Sequence, residues 1–106
     1  MGRILGAAVV ALAWAAPAAA TTCFVIVDGL TVIDGPCRFE PFGGDGSFTV
    51  SAPYGGYFAD VLIEHRGLAR GYWNQERYWG HAHADLGRLR RDDACWENAY
   101  ATVCAW

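Results

Sequence analysis

Lysine is absent. All eight basic residues are arginine, and the formal charge at neutral pH is −3. A chain of this balance lacks the positive field that nucleic acid or an anionic lipid surface requires, so neither is expected as the main partner. Serine is scarce too, Ser47 and Ser51 being the only two. Neither stands in a Gly-x-Ser-x-Gly elbow, and both fall in a predicted strand after a glycine loop, which leaves serine-hydrolase chemistry without its usual framework. No Cys-x-x-Cys pair exists to begin a structural zinc site. There is no repeat of fixed period, no low-complexity tail, and no convincing helical period after the first residues.

What is present begins with an address. Arg3 supplies a charge, Ile4 to Ala16 are uniformly apolar, Pro17 breaks the run, and Ala18-Ala19-Ala20 offers a small-residue cleavage site. The apolar run is shorter than the ~20 residues of a spanning helix. Cys23 follows Ala20, Thr21 and Thr22 rather than a lipobox. Residues 1–20 therefore read as a signal peptide, and the mature protein as a periplasmic or secreted chain beginning near Thr21, with no membrane span after cleavage. Removing residues 1–20 from 106 leaves 86, enough for one small domain, and loss of Arg3 moves the charge from −3 to −4. All four cysteines lie in that part. An even count in a short exported chain reads as disulfides, because the compartment oxidises thiols and a small core needs staples.

The mature sequence reads as strands throughout. Cys23 to Val27 and Leu30 to Ile33 are β-branched and apolar, and each ends at an Asp-Gly pair, Asp28-Gly29 and Asp34-Gly35, which predicts two tight turns. Cys37 to Glu40 alternates. Gly43-Gly44-Asp45-Gly46 is a loop, and Phe48 to Ser51 a further strand. Tyr57, Ala59, Val61 and Ile63 make one apolar face of the best strand, with Asp60 and Glu64 on the other. His65-Arg66-Gly67 turns the chain into Leu68 to Asn74, and residues 75–85 are irregular, polar and aromatic together. The closing runs meet at Asp92-Asp93, where two acids suit a solvated turn. Arg88, Arg90 and Arg91 read as a solvated strand edge. The expected fold is all-β: a small antiparallel meander of seven or eight short strands, stapled by disulfides. Hiding the edges of so few residues favours a closed or half-closed barrel.

Four cysteines allow three pairings. Cys95 and Cys104 have an odd index sum, which suits opposed positions across a hairpin with an even loop such as Asn98 to Ala101. Cys23 with Cys37 follows by elimination, although their even sum does not suit a two-residue hairpin. The rival, Cys23 with Cys104, would tie the first strand to the last and stays open. With all four thiols bridged, no cysteine nucleophile remains.

From Gly71 onward the runs Gly-Tyr-Trp-Asn, His-Ala-Asp-Leu-Gly, Ala-Cys-Trp and the final Val-Cys-Ala-Trp resemble a group of small exported proteobacterial proteins. The earlier Cys23 to Gly29, Ile33 to Cys37 and Gly44 to Val50 stretches are similar to the same group. The resemblance implies export and a compact disulfide-containing domain, and it brings no catalytic or binding residue with it.

Two features could carry function. In His81-Ala-His83-Ala-Asp85, a strand would put two imidazoles and a carboxylate on one face. His81, His83 and Asp85 could then hold zinc or copper, with Glu76 or His65 completing the site; in a loop the same imidazoles would simply be solvated. The second feature is aromatic density. Tyr72-Trp73 and Tyr78-Trp79 are adjacent pairs, and adjacent residues of a strand face opposite ways, so part of each pair is expected outside. With Arg77 and His83 they form a candidate binding surface for a protein or glycan of the envelope. The expected function is an exported small binding protein of the cell envelope, inhibitor-like or protective and acting without catalysis. The alternatives are a metal-binding protein or metalloenzyme built on the histidine cluster, and a structural envelope component.

Overall fold

Asp28 and Gly29 form the first turn, both with positive φ, and join strand β1 (Thr21–Val27) to β2 (Leu30–Phe42). The computed structural model describes residues 21–106, and the signal peptide expected in residues 1–20 lies outside the described residues. Beyond β2 the chain continues through β3 (Ser47–Ser51), β4 (Phe58–His65), β5 (Leu68–Trp73), β6 (Ala84–Asp92), β7 (Cys95–Glu97) and β8 (Ala101–Ala105). Each strand is antiparallel to the next, and β8 returns to β1, so the eight strands close into a barrel. Closure removes every edge strand. β6 is accordingly paired with β7 at Arg90 and Arg91, which do not lie on an edge, while Arg88 pairs with β5 and its carbonyl accepts from Asn98 Nδ2 at 2.9 Å. Arg88 also donates from Nε to Glu64 Oε1 at 3.0 Å.

Asp34-Gly35 makes no turn. β2 runs straight through it, with Phe24 opposite Asp34 and Cys23 opposite Gly35. A turn there would leave the first half of β1 paired on its β8 side alone, and pairing with β2 satisfies the remaining backbone groups instead. Gly35 takes a φ of 129° that only glycine adopts readily. Past Cys37 the strand leaves β1 and takes β3 as its partner, from Arg38 opposite Ser51 to Phe42 opposite Ser47.

A bulge decides the first disulfide. Val25 faces Ile33 but Ile26 faces Thr31, so β2 carries one extra residue and the index sums change parity. Cys23 and Cys37 thus reach the same face, two positions apart in register, and bridge with Cα atoms 5.7 Å apart. Cys95 stands directly opposite Cys104, and this second bridge has a Cα separation of 4.0 Å. None of the cysteines is free. Two disulfides in so small a domain indicate an oxidising, non-cytoplasmic environment. Among the described residues no helix is long and apolar enough to cross a membrane.

The barrel interior is filled by alternate residues. Cys23, Val25 and Val27 point inward from β1, Ala59 and Val61 from β4, Ala69 and Trp73 from β5, and Trp96 and Val103 from the closing hairpin. Leu86 and Leu89 of β6 fill the middle. Tyr57 and Ile63, at the ends of the face expected on the fourth strand, are half-buried.

Reduction of both bridges is expected to unfold the protein at body temperature. Each contributes roughly 2–4 kcal/mol, and a domain of this size has only about 5–10 kcal/mol in all. Circular dichroism with and without reductant measures it, and a reduced chain that keeps its native spectrum would show that the core alone suffices.

Candidate functional site

The up-and-down order of the strands sorts the loops between two ends. One end, the upper, carries residues 28–29, 52–57, 74–83 and 98–100. The lower end carries 43–46, 66–67 and 93–94, together with Thr22 and Trp106, whose backbones exchange hydrogen bonds of 3.2 and 2.9 Å.

Asn74 organises the upper end. It follows β5 directly and is wholly buried. Its Nδ2 donates to the carbonyls of Gly56 (2.8 Å), Glu76 (2.9 Å) and Trp79 (3.1 Å), and its Oδ1 accepts from the Phe58 amide at 3.0 Å. One side chain thereby ties the 52–57 loop to the 74–83 loop and leaves none of its own polar atoms unpaired. Only asparagine or glutamine has both a donor pair and an acceptor, and the longer residue would not fit the same space.

Above this anchor the second loop is tightly wound. Gln75 and Tyr78 both have positive φ, 70° and 69°, which is costly for residues with side chains. The Tyr78 amide donates to Gly56 O at 3.1 Å, and its ring lies across Gly55. A Cβ at Gly55 would stand 3.1 Å from Tyr78 Cε1, on a backbone already at φ 82°, so this contact requires glycine. The outcome is a cluster of aromatic groups facing solvent: Tyr54 is 93% exposed, Tyr78 73% and Trp79 48%.

Two shallow clefts lie among them. One of about 580 Å³ is lined by Tyr78, Trp79, Gly80, His81 and His83. A smaller one of about 270 Å³ includes Tyr54, Tyr57, Arg77 and, again, Tyr78. The Arg77 guanidinium sits 5.7 Å from the centre of the Tyr57 ring, which in turn packs 5.7 Å from the ring of Trp73. His83 stands beside Trp79, ring centres 5.2 Å apart, with its nitrogens 3.1 Å from Gln75 Oε1 and 3.2 Å from His81 O.

Arg77, Tyr78, Trp79 and His83 are thus gathered on one surface. Trp73 is not part of it. β5 points Ala69, Gly71 and Trp73 inward, so this indole is core, and Tyr72 faces out, half-buried, between Asp60 and Asp85 on the neighbouring strands. Of the two readings of the histidine segment, the loop is the one formed. β6 begins only at Ala84, so His81 and His83 belong to the loop and share no strand face with Asp85. Asp85 is held by Arg70 at 3.0 Å and accepts from the Gly87 amide at 2.7 Å. His65 ends β4 at the opposite end of the barrel from Glu76. Among the described residues no group of three or more histidine, cysteine, aspartate or glutamate side chains is placed to hold a metal ion.

The lower end has a cleft of about 530 Å³ whose walls include Phe48, Ile63, Arg66, Arg91 and Trp96. Arg91 lies over the buried Trp96 ring at 5.7 Å. Nearby, the Ser47 hydroxyl and then the Ser47 amide hold the exposed Asp45 carboxyl below its ordinary pKa. Sequence reasoning reached the aromatic loop but not Asn74. Its signal is faint: a lone asparagine directly after a strand, whose partners at Gly56 and Phe58 are distant in the chain.

Comparison with protein families, with curated proteins and with solved structures finds no match.

Proposed function

We propose that this is an exported binding protein of the cell envelope, inhibitor-like or protective, which acts without catalysis through Tyr54, Tyr78, Trp79 and His83. One observation carries the reading. A fully satisfied buried asparagine and a left-handed Tyr78 hold the aromatic side chains outward, on two loops locked to a disulfide-stapled barrel. Exposed aromatic groups on a rigid frame bind with little loss of conformational freedom, because the loops are ordered before the partner arrives. Folding alone gives no reason to strain a loop in order to place Tyr78 and Trp79 in water.

Two truncations separate surface from core. Trp79→Ala is expected to cost about 1 kcal/mol or less, a few degrees in thermal midpoint. Trp96→Ala removes a buried indole and is expected to cost roughly 3–5 kcal/mol. In affinity capture from an envelope extract, Trp79→Ala and His83→Ala should lose what the native protein retains. Equal destabilisation by the two tryptophan variants, or unchanged capture by Trp79→Ala, would refute the assignment.

A further inference from the structure

Building on that surface, we infer that its ligand is a neutral oligosaccharide, bound by stacking on Trp79 and Tyr78. The charge and shape of the lining make the case. The larger cleft contains two aromatic rings, two imidazoles and a glycine, and neither a carboxylate nor a guanidinium. Of the charged groups around it, Asp85 is bound by Arg70, Arg77 lies over the Tyr57 ring in the wall of the smaller cleft, and Glu76 lines neither cleft. A ligand with formal charge would find no counter-charge in the larger cleft and would lose hydration on entry.

A sugar ring meets those terms. One face of a pyranose is a patch of C–H groups, which packs on an indole or phenol face. Its rim is a set of hydroxyls, each both donor and acceptor. The His81 imidazole matches them, since neutral histidine also offers one donor and one acceptor, whereas both ring nitrogens of His83 already have partners within the loop. The indole of Trp79 has His83 near it and is still half exposed. His83 is itself steadied by Gln75 and the His81 carbonyl, so the indole is supported before a ligand arrives. Gly80 leaves the space beside it open, for a Cβ there would meet no atom within 4 Å.

The site is also elongated. Tyr78 belongs to both clefts, and the smaller continues to Tyr54, the most exposed aromatic residue of the set. Successive rings of an oligosaccharide can lie along Trp79, Tyr78 and Tyr54, whereas a single sugar would use one of them.

The test is a titration of the native, disulfide-bonded protein with cellohexaose, maltohexaose and tetra-N-acetylchitotetraose, and with a polygalacturonate oligomer as the anionic counterpart. Binding is read from indole fluorescence and from the Trp79 indole N–H resonance. At least one neutral oligosaccharide should shift the Trp79 signal saturably, and more tightly than its monosaccharide. Trp79→Ala should weaken it roughly tenfold or more, as loss of an aromatic contact does, and Trp79→Phe should restore part of the loss. Trp106→Ala, which removes an exposed indole from the lower end, should leave affinity unchanged. Dispersed amide spectra of each variant exclude unfolding as the cause. Binding of the anionic oligomer alone, no response from any neutral sugar, or binding indifferent to Trp79→Ala would each overturn the inference. If no sugar binds and Trp79→Ala still abolishes capture of an envelope protein, the ligand class is wrong while the binding surface stands. If capture is unaffected as well, both fail.

Discussion

Val61→Asp is expected to leave the protein unfolded. Val61 is completely buried at the centre of β4, opposite Phe48 on one side and Gly71 on the other. Its neighbours are apolar, with no cation to pair a carboxylate. An ionised group enclosed there costs several kcal/mol even after relaxation, and protonating it still leaves polar oxygens without partners. Set against about 5–10 kcal/mol for the whole domain, that is enough to abolish folding, which circular dichroism and amide dispersion would show. Asp60, one position earlier, points outward and accepts from Thr49 Oγ1 at 2.6 Å. Asp60→Asn keeps an acceptor in that place and should change stability by no more than about 0.5 kcal/mol. Similar losses from the two variants would mean that the β4 faces are the reverse of those described.

Asn74→Ala should produce the other large effect. It deletes four hydrogen bonds at once and leaves the Trp79 carbonyl and the Phe58 amide without their partner, while the Gly56 and Glu76 carbonyls keep only the amides of Tyr78 and Trp79. Leaving a buried group unpaired costs about 1–3 kcal/mol, but water can enter from the loop side and recover part of that. The expected total is roughly 3–5 kcal/mol, or a fall of about 15–30 °C in thermal midpoint. Asn74→Asp should be little better, because it keeps the acceptor for Phe58 but turns a second oxygen toward three carbonyls. The informative measurement is hydrogen exchange of the Phe58 and Tyr78 amides, which should accelerate more than that of Val25 or Val103 in the barrel. Uniform acceleration would mean that Asn74 supports the whole fold rather than these two loops.

A smaller effect distinguishes the surface from its support. Asn74→Ala should weaken ligand binding because the loop loses its shape, and Trp79→Ala because the contact itself is gone. Only the second should do so with the Phe58 and Tyr78 amides still protected. The pair therefore separates a residue that positions the surface from one that touches the ligand.

Much of the architecture is local and could be read directly. The alternation of Ala59, Val61 and Ile63 states which way β4 faces, because side chains of a strand repeat every two residues. Asp28-Gly29 states where the first hairpin turns. The spacing of Cys95 and Cys104 brings them opposite each other across a short hairpin. Having few residues and several strands, the chain had to close on itself to hide its edges, so the barrel too was legible.

What remained hidden depends on contacts between residues far apart in the chain. Asp34-Gly35 has the chemistry of a turn, yet β1 extends far enough to pair with it, and a ladder of backbone hydrogen bonds outweighs a local turn preference. The bulge at Val32, opposite Val25 and Ile26, which brings Cys23 and Cys37 to one face, has no marker in the residues themselves. Trp73 and Trp79 look alike as members of Tyr-Trp pairs. One lies inside because β5 pairs with β4 and β6 in a register that turns it inward, the other outside because the strand has ended and Asn74 has redirected the chain. Local propensity determined which segments extend and where some of them turn. Register, set by pairing across the barrel, decided which aromatic groups became core and which were left facing water.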